Sequence, residues 1–174
     1  MATSNDTLDL FPHLNDPAKV KALLEQGADP NMFDNRGSLP VLHKAVSSLA
    51  YETVKLLIEK GANVNIREGD VWRDGILVYG GNGNTALAEA ATQQSPRMTE
   101  LLIEGGAHVN AASQGGYTPL LVAAGRGNTQ VVKALLDAGA DINAEGNDKQ
   151  SALSKASSRG YYETADLLRK YLQK

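Results

Sequence analysis

With 174 residues, 42% of them hydrophobic and only 5% aromatic, the chain has the length for one domain and a core of small aliphatic side chains rather than large rings. It contains no cysteine, which excludes disulfides, thiolate nucleophiles and thiolate-bound metals, and its 17 basic and 20 acidic residues are scattered and leave a net charge of −3, which argues against a surface that tracks nucleic-acid phosphates. No run approaches the length of a membrane span and the first eleven residues lack a basic segment followed by an apolar one, so a soluble cytoplasmic protein without a membrane contact is expected.

Residues 1–6 are small and polar and are expected to fray. Asp16 followed by Pro17 is a good helix start, and Val20, Leu23 and Leu24 give that helix an apolar stripe before Gly27. Asp34-Asn35-Arg36-Gly37 then forms a turn tetrad. A short helix over Val41, Leu42 and Ala45 and a second over Val54, Leu57 and Ile58 follow, ending at Gly61. Leu49 stands between them where a glycine would make the easier turn. The stretch REGDVWRDGILVYGGNGN is the irregular part of the chain. Asn65 lies 20 residues before Thr85, whereas Asn110–Thr118 and Asn143–Ser151 are separated by 8. Trp72, Ile76, Leu77, Val78 and Tyr79 fall within this extra length.

Helices resume at Thr85-Ala86-Leu87 and again at Ser95-Pro96. The cleanest stretch runs from Gly116 to Asn143. There Thr118 is an N-cap whose hydroxyl can accept from a free backbone N–H, and Pro119 takes the first helical position, where its missing N–H costs nothing. Leu120, Leu121, Ala123 and Ala124 make one apolar face, and Val131, Val132, Leu135 and Leu136 make the next at helical spacing. Gly139 comes where a left-handed C-cap is expected. The last pair begins at Ser151-Ala152-Leu153 and ends in a helix with Ala165, Leu168 and Leu172 on one side and charged residues available to face water.

The phrase Gly-Ala-x-x-Asn recurs at Gly27, Gly61, Gly106 and Gly139, at intervals of 34, 45 and 33 residues, each preceded by a pair of aliphatic residues. Ala45, Ala90 and Ala123 each lie sixteen residues before the glycine of their unit. A period near 33 carrying Thr-Pro-Leu, Ala-Ala, Leu-Leu and Gly-Ala-Asp-x-Asn resembles the ankyrin-repeat family, and the resemblance covers nearly the whole chain. It implies an all-α solenoid of about five helix–turn–helix repeats with short β-hairpin fingers. The expected units are residues 7–33 as an N-terminal cap, 34–66, 67–111 with an insertion over about 67–83, 112–144, and 145–174 as a C-terminal cap, all in a single domain spanning 1–174.

Three patterns could suggest chemistry. His13, His43 and His108 lie in different units with no metal-ligand spacing, and His43, at the family's Thr-Pro-Leu-His position, reads as a structural ring joining backbone groups of adjacent repeats. Gly80-Gly81-Asn82-Gly83-Asn84-Thr85 precedes a helix but lacks the Gly-Lys-Ser/Thr ending of a phosphate-binding loop. Glu68, Asp70 and Asp74 with Arg67 and Arg73 could imitate an acid–base cluster, yet a loop at the edge of a solenoid offers no dry pocket. No catalytic residue, metal ligand or cofactor is therefore expected.

What the resemblance implies instead is protein recognition through a concave groove and the fingers. Carried onto this sequence, the family's variable positions are Asn35, Arg36, Asn84, Gln114, Tyr117, Asn147, Asp148 and Gln150 on the fingers. On the first helices they are Ser47, Ser48, Thr92, Gln93, Arg126, Ser158 and Arg159. Trp72 and Tyr79 of the long third finger either fold back on neighbouring units or project as anchors for a partner. The function expected is that of a non-catalytic, monomeric adaptor or inhibitor. The alternative is a structural or self-associating protein, for which Tyr161, Tyr162 and Tyr171 leave room, with a loop-based enzyme a distant third.

Overall fold

The computed structural model describes residues 8–34, 39–69, 71–73, 76–79 and 83–173, and for the two strands it describes the backbone alone. Among these residues a short 3-10 turn, Phe11–His13, leads into α1 (Pro17–Glu25). Four antiparallel helix pairs follow: α2 (Val41–Ser47) with α3 (Tyr51–Glu59), α4 (Ala86–Thr92) with α5 (Pro96–Glu104), α6 (Pro119–Arg126) with α7 (Thr129–Asp137), and α8 (Ala152–Ser158) with α9 (Tyr162–Leu172). The first helices stack as one layer, α2 on α4, α4 on α6 and α6 on α8. The second helices stack as another, with α1 on α3, α5 on α7 and α7 on α9. The expected all-α solenoid is what forms.

Local chemistry accounts for the helix boundaries. Asp16, Thr85, Ser95, Thr118, Asn128 and Ser151 each cap the helix that follows by accepting from the N–H three residues on. Proline opens α1, α5 and α6. Gly27, Gly61, Gly106 and Gly139 end second helices at φ between +87° and +98°, a conformation in which a Cβ would be strained. Leu49 and Gln94 hold the corresponding left-handed turn between paired helices without being glycine, at φ +53° and +55°.

Neither helix of a pair could bury its stripe alone. Ala45, Ala90, Ala123 and Ala156 are fully buried, one in each first helix, and their small side chains let successive first helices approach closely. Leu42, Leu87, Leu120, Leu57, Leu102, Leu135 and Leu168 fill the space between layers with exposures of 1% or less. Each such leucine contributes about 1.5–3 kcal/mol of burial.

The recurring asparagines fasten one unit to the next. The Asn31 side chain donates to Gly61 O (3.3 Å) and accepts from Asn63 N (2.7 Å). Asn65 does the same to Gly106 O (3.1 Å) and from His108 N (2.7 Å). Asn110 repeats it with Gly139 O (3.3 Å) and Asp141 N (2.8 Å). A short amide donates from its nitrogen and accepts at its oxygen, two separate atoms that reach two partners at once, which suits asparagine to this step.

The fingers differ in extent. Two of ordinary length are closed by single bridges, Phe33 with Pro40 and Glu145 with Ser151. The long finger closes at its base by a bridge between Arg67 and Thr85 and forms an antiparallel ladder, β1 (Val71–Arg73) on β2 (Ile76–Tyr79), with Trp72 opposite Leu77 and Val71 opposite Tyr79. The added length is therefore a hairpin extending the repeat's own turn.

Candidate functional site

One cleft of about 410 Å³ is built jointly by fingers and first helices. Its floor is the finger-side surface of α6, formed by the half-buried Val122 over the buried Leu121 and Gly125. Thr92 closes it from α4, and Lys155 and Arg159 from α8. Arg126 stands at the end of α6, while Asn84, Tyr117, Asp148 and Gln150 reach in from three fingers. Of the residues expected at a binding surface, the cleft thus gathers Asn84, Thr92, Tyr117, Arg126, Asp148, Gln150 and Arg159.

Its centre is a bonded cluster. Lys155, with a side chain only 5% exposed, places Nζ 2.5 Å from Asp148 Oδ2 and 4.6 Å from the centroid of the Tyr117 ring. The Tyr117 hydroxyl donates to the same carboxylate oxygen at 3.0 Å, and the Gln150 N–H donates to Oδ1 at 3.1 Å. The Lys155 ammonium holds the Asp148 carboxyl below the usual carboxylate range, and the Gln150 N–H and Tyr117 hydroxyl act in the same direction. The Tyr117 ring can lie between two fingers because Gly115 and Gly146 present no Cβ. A Cβ at these glycines would come within 2.8 Å and 3.1 Å of the ring, respectively.

The arginines are different. A guanidinium nitrogen of Arg159 donates to Gly125 O across the cleft floor, which leaves the rest of its fork available. Arg126 is exposed, and its side chain forms no hydrogen bond or ion pair among the described residues. With Lys155 and Asp148 neutralising each other, the cleft is locally cationic in a chain whose net charge is −3.

Other expected positions lie outside the cleft. Ser47 Oγ and Ser158 Oγ donate back to carbonyls of their own helices, at Lys44 and Lys155, and Gln93 Nε2 donates to Glu89 Oε1 at 2.8 Å. Ser48 caps α2 through its backbone N–H. Asn147 ties neighbouring fingers, its side chain donating to Gln114 O and its N–H to Gly115 O. Asn35, Arg36, Asp70 and Asp74 lie outside the described residues, as do the side chains of Trp72 and Tyr79. Around the expected acid–base cluster, Arg67 is engaged: it donates to Ala112 O at 2.8 Å and fastens the long finger to the next. Of the Gly-rich stretch, Thr85 caps α4, and Asn84 O accepts from His43 Nε2 at 3.0 Å and from Glu68 N at 2.8 Å.

Lys155 is the charged cleft residue that the sequence reading passed over. It stands directly before Ala156, as Lys44, Glu89 and Val122 stand before Ala45, Ala90 and Ala123. That register faces the groove, so a change of side-chain type along it was the available signal.

Comparison with known proteins agrees with this architecture. A model described as ankyrin repeats (3 copies) matches residues 87–174, and one described as ankyrin repeats (many copies) matches residues 8–58. The chain belongs to the ankyrin-repeat family. An ankyrin repeat protein of Rickettsia bellii (strain RML369-C) is 26% identical over 121 residues, which are 68% of this chain and 33% of that protein. The Drosophila melanogaster transient receptor potential channel pyrexia is 33% identical over 91 residues, 52% of this chain and 8% of the channel. The human transient receptor potential cation channel subfamily A member 1 is 31% identical over 116 residues, 66% of this chain and 9% of that protein. The chain thus spans a third or less of the length of these relatives. Ankyrin repeats are in general protein–protein interaction modules and are typically non-catalytic. Among the described residues no helix is long and apolar enough to cross a membrane.

Proposed function

We propose that this chain acts as a non-catalytic adaptor or inhibitor, a single five-repeat domain that binds one protein partner through the cleft over α6 and the fingers beside it. The observation that carries the reading is the cleft itself. Side chains from three fingers and three first helices converge on one cleft of about 410 Å³, while most apolar residues of the same helices are used in the core. The centre of the cleft is held by fixed hydrogen bonds around Asp148, so little conformational entropy is lost when a partner docks. The hairpin carrying Trp72 and Tyr79 extends from an adjacent unit and supplies a second contact.

The test is capture from native extract by wild-type protein, by Val122→Tyr and by Trp72→Ala/Tyr79→Ala, after matching helicity and melting temperature. Sister units already carry long side chains at the Val122 register, so a tyrosine there fills the cleft without entering the core. A partner held by wild type and lost by Val122→Tyr supports the reading. Equal capture by both excludes the cleft. The double variant reports separately on the hairpin.

Self-association is the second reading. It is favoured by Tyr162 and Leu172, which are 74% and 46% exposed on α9. Light scattering over a concentration series decides it, since a mass that stays constant excludes it.

A further inference from the structure

We infer that the cleft recognises an acidic segment of a protein partner, with one Asp or Glu carboxylate seated between Arg126 and Arg159. This inference rests on the cleft reading above and adds the chemistry of the ligand.

The argument is one of unbalanced charge. Three cationic side chains and one anionic side chain line the cleft. Asp148 is committed to Lys155 at 2.5 Å and is further saturated by the Tyr117 hydroxyl and the Gln150 N–H, so it is not available to either arginine. Glu89, on the next helix of the stack, does not line the cleft and accepts from Gln93. Arg159 spends one nitrogen on Gly125 O and Arg126 spends none among the described residues. Two guanidinium forks therefore border one floor without a carboxylate. Such forks match carboxylates in a bidentate manner.

Arg159 is also positioned rather than loose. A Cβ on Gly125 would lie 3.1 Å from Arg159 Nη1, so the guanidinium rests directly against the backbone of this turn, to whose carbonyl it donates. The half-buried Val122 adds a small apolar surface beside the arginines, with Leu121 buried beneath it. The fitting occupant is an extended segment with an acidic residue next to an aliphatic one. The chain as a whole is anionic, so general electrostatics repel such a ligand and only the local field of the cleft can hold it.

The experiment is fluorescence anisotropy with a labelled octaglutamate peptide, with octaserine and a labelled thymidine decanucleotide as comparison probes. The proteins are wild type, Arg126→Gln, Arg159→Gln, the double variant, and Arg169→Gln as a charge-matched control on α9 outside the cleft. Octaglutamate is expected to bind wild type and Arg169→Gln alike, to weaken about tenfold with each cleft arginine removed, and to outcompete octaserine. No binding to wild type overturns the inference, as does equal binding by the double variant or tighter binding of the oligonucleotide through the same arginines. A partner captured from extract and lost by Val122→Tyr, together with failure of octaglutamate, would leave the cleft reading standing and remove this one.

Discussion

Asn65 accepts the His108 N–H at 2.7 Å, joining residues that lie in successive units. The other end of the same amide donates to Gly106 O at 3.1 Å, so one side chain supplies both halves of an inter-unit clamp.

Removing the clamp should cost stability in proportion to the hydrogen bonds lost. Asn65→Ala and Asn110→Ala are each expected to destabilise the fold by about 1–2 kcal/mol, since each deletes two partly solvated bonds. Asn143 occupies the same place in the Gly139 phrase, but its side chain makes no such pair among the described residues. Asn143→Ala should stay within about 0.5 kcal/mol. Urea denaturation of the three variants checks the contrast.

Gly127 and Gln94 hold equivalent left-handed turns, at φ +70° and +55°, under different constraints. At Gly127 a Cβ would fall 2.4 Å from the Tyr161 ring, so Gly127→Ala carries steric conflict in addition to backbone strain and should cost about 2 kcal/mol or more. Gln94 is exposed, and Gln94→Gly relieves the strain while adding chain entropy to the unfolded state. Its expected effect lies between neutral and about 1 kcal/mol stabilising. Thermal melts of both variants test the pair.

The Asp148 carboxyl is held below its ordinary range by Lys155. A depressed folded-state pKa adds stability that is fully present above the unfolded value, about 4, and is lost as pH falls through the folded one. Asp148→Asn should therefore be less stable than wild type at neutral pH, and the gap should narrow as the pH drops below about 4. Denaturation midpoints measured from pH 7 to pH 2.5 would show this. A gap that is constant across that range contradicts the assignment.

Arg67 fastens the long finger to its neighbour through Ala112 O. Arg67→Ala should leave the helix stack intact and raise hydrogen exchange at Glu68 N–H, which donates to Asn84 O across the finger base. Unchanged exchange there would mean that the bridge between Arg67 and Thr85 suffices without the side chain.

The helix pairs were legible because their signals are short-range. An N-cap such as Thr118 acts on the N–H three residues away, and Gly139 ends α7 through its own φ. The spacing of Val131, Val132 and Leu135 lies within two turns of one helix. Leu49 was visible as a departure from that pattern, and the fold accommodates it, like Gln94, in a left-handed turn at φ near +55°. Ser47, Thr92, Asn147 and Ser158 came from the family's variable positions, carried over by register. Register cannot tell whether a hydroxyl or amide is left for a partner or bonded to nearby backbone, as these are.

The cleft depended on the stack. Tyr117, Asp148 and Lys155 stand on a finger, the following finger and a helix, and their meeting required Gly115 and Gly146 to let a ring lie between the fingers. Whether a charged side chain is spent or free is a property of such distant pairs. Lys155 and Arg126 look alike in sequence, yet the fold neutralises the first with Asp148 and leaves the second exposed. Local periodicity was enough to specify the solenoid, because each repeat solves the same short-range problem. The charge of its groove arose only when separate repeats were brought to within a few ångströms of one another.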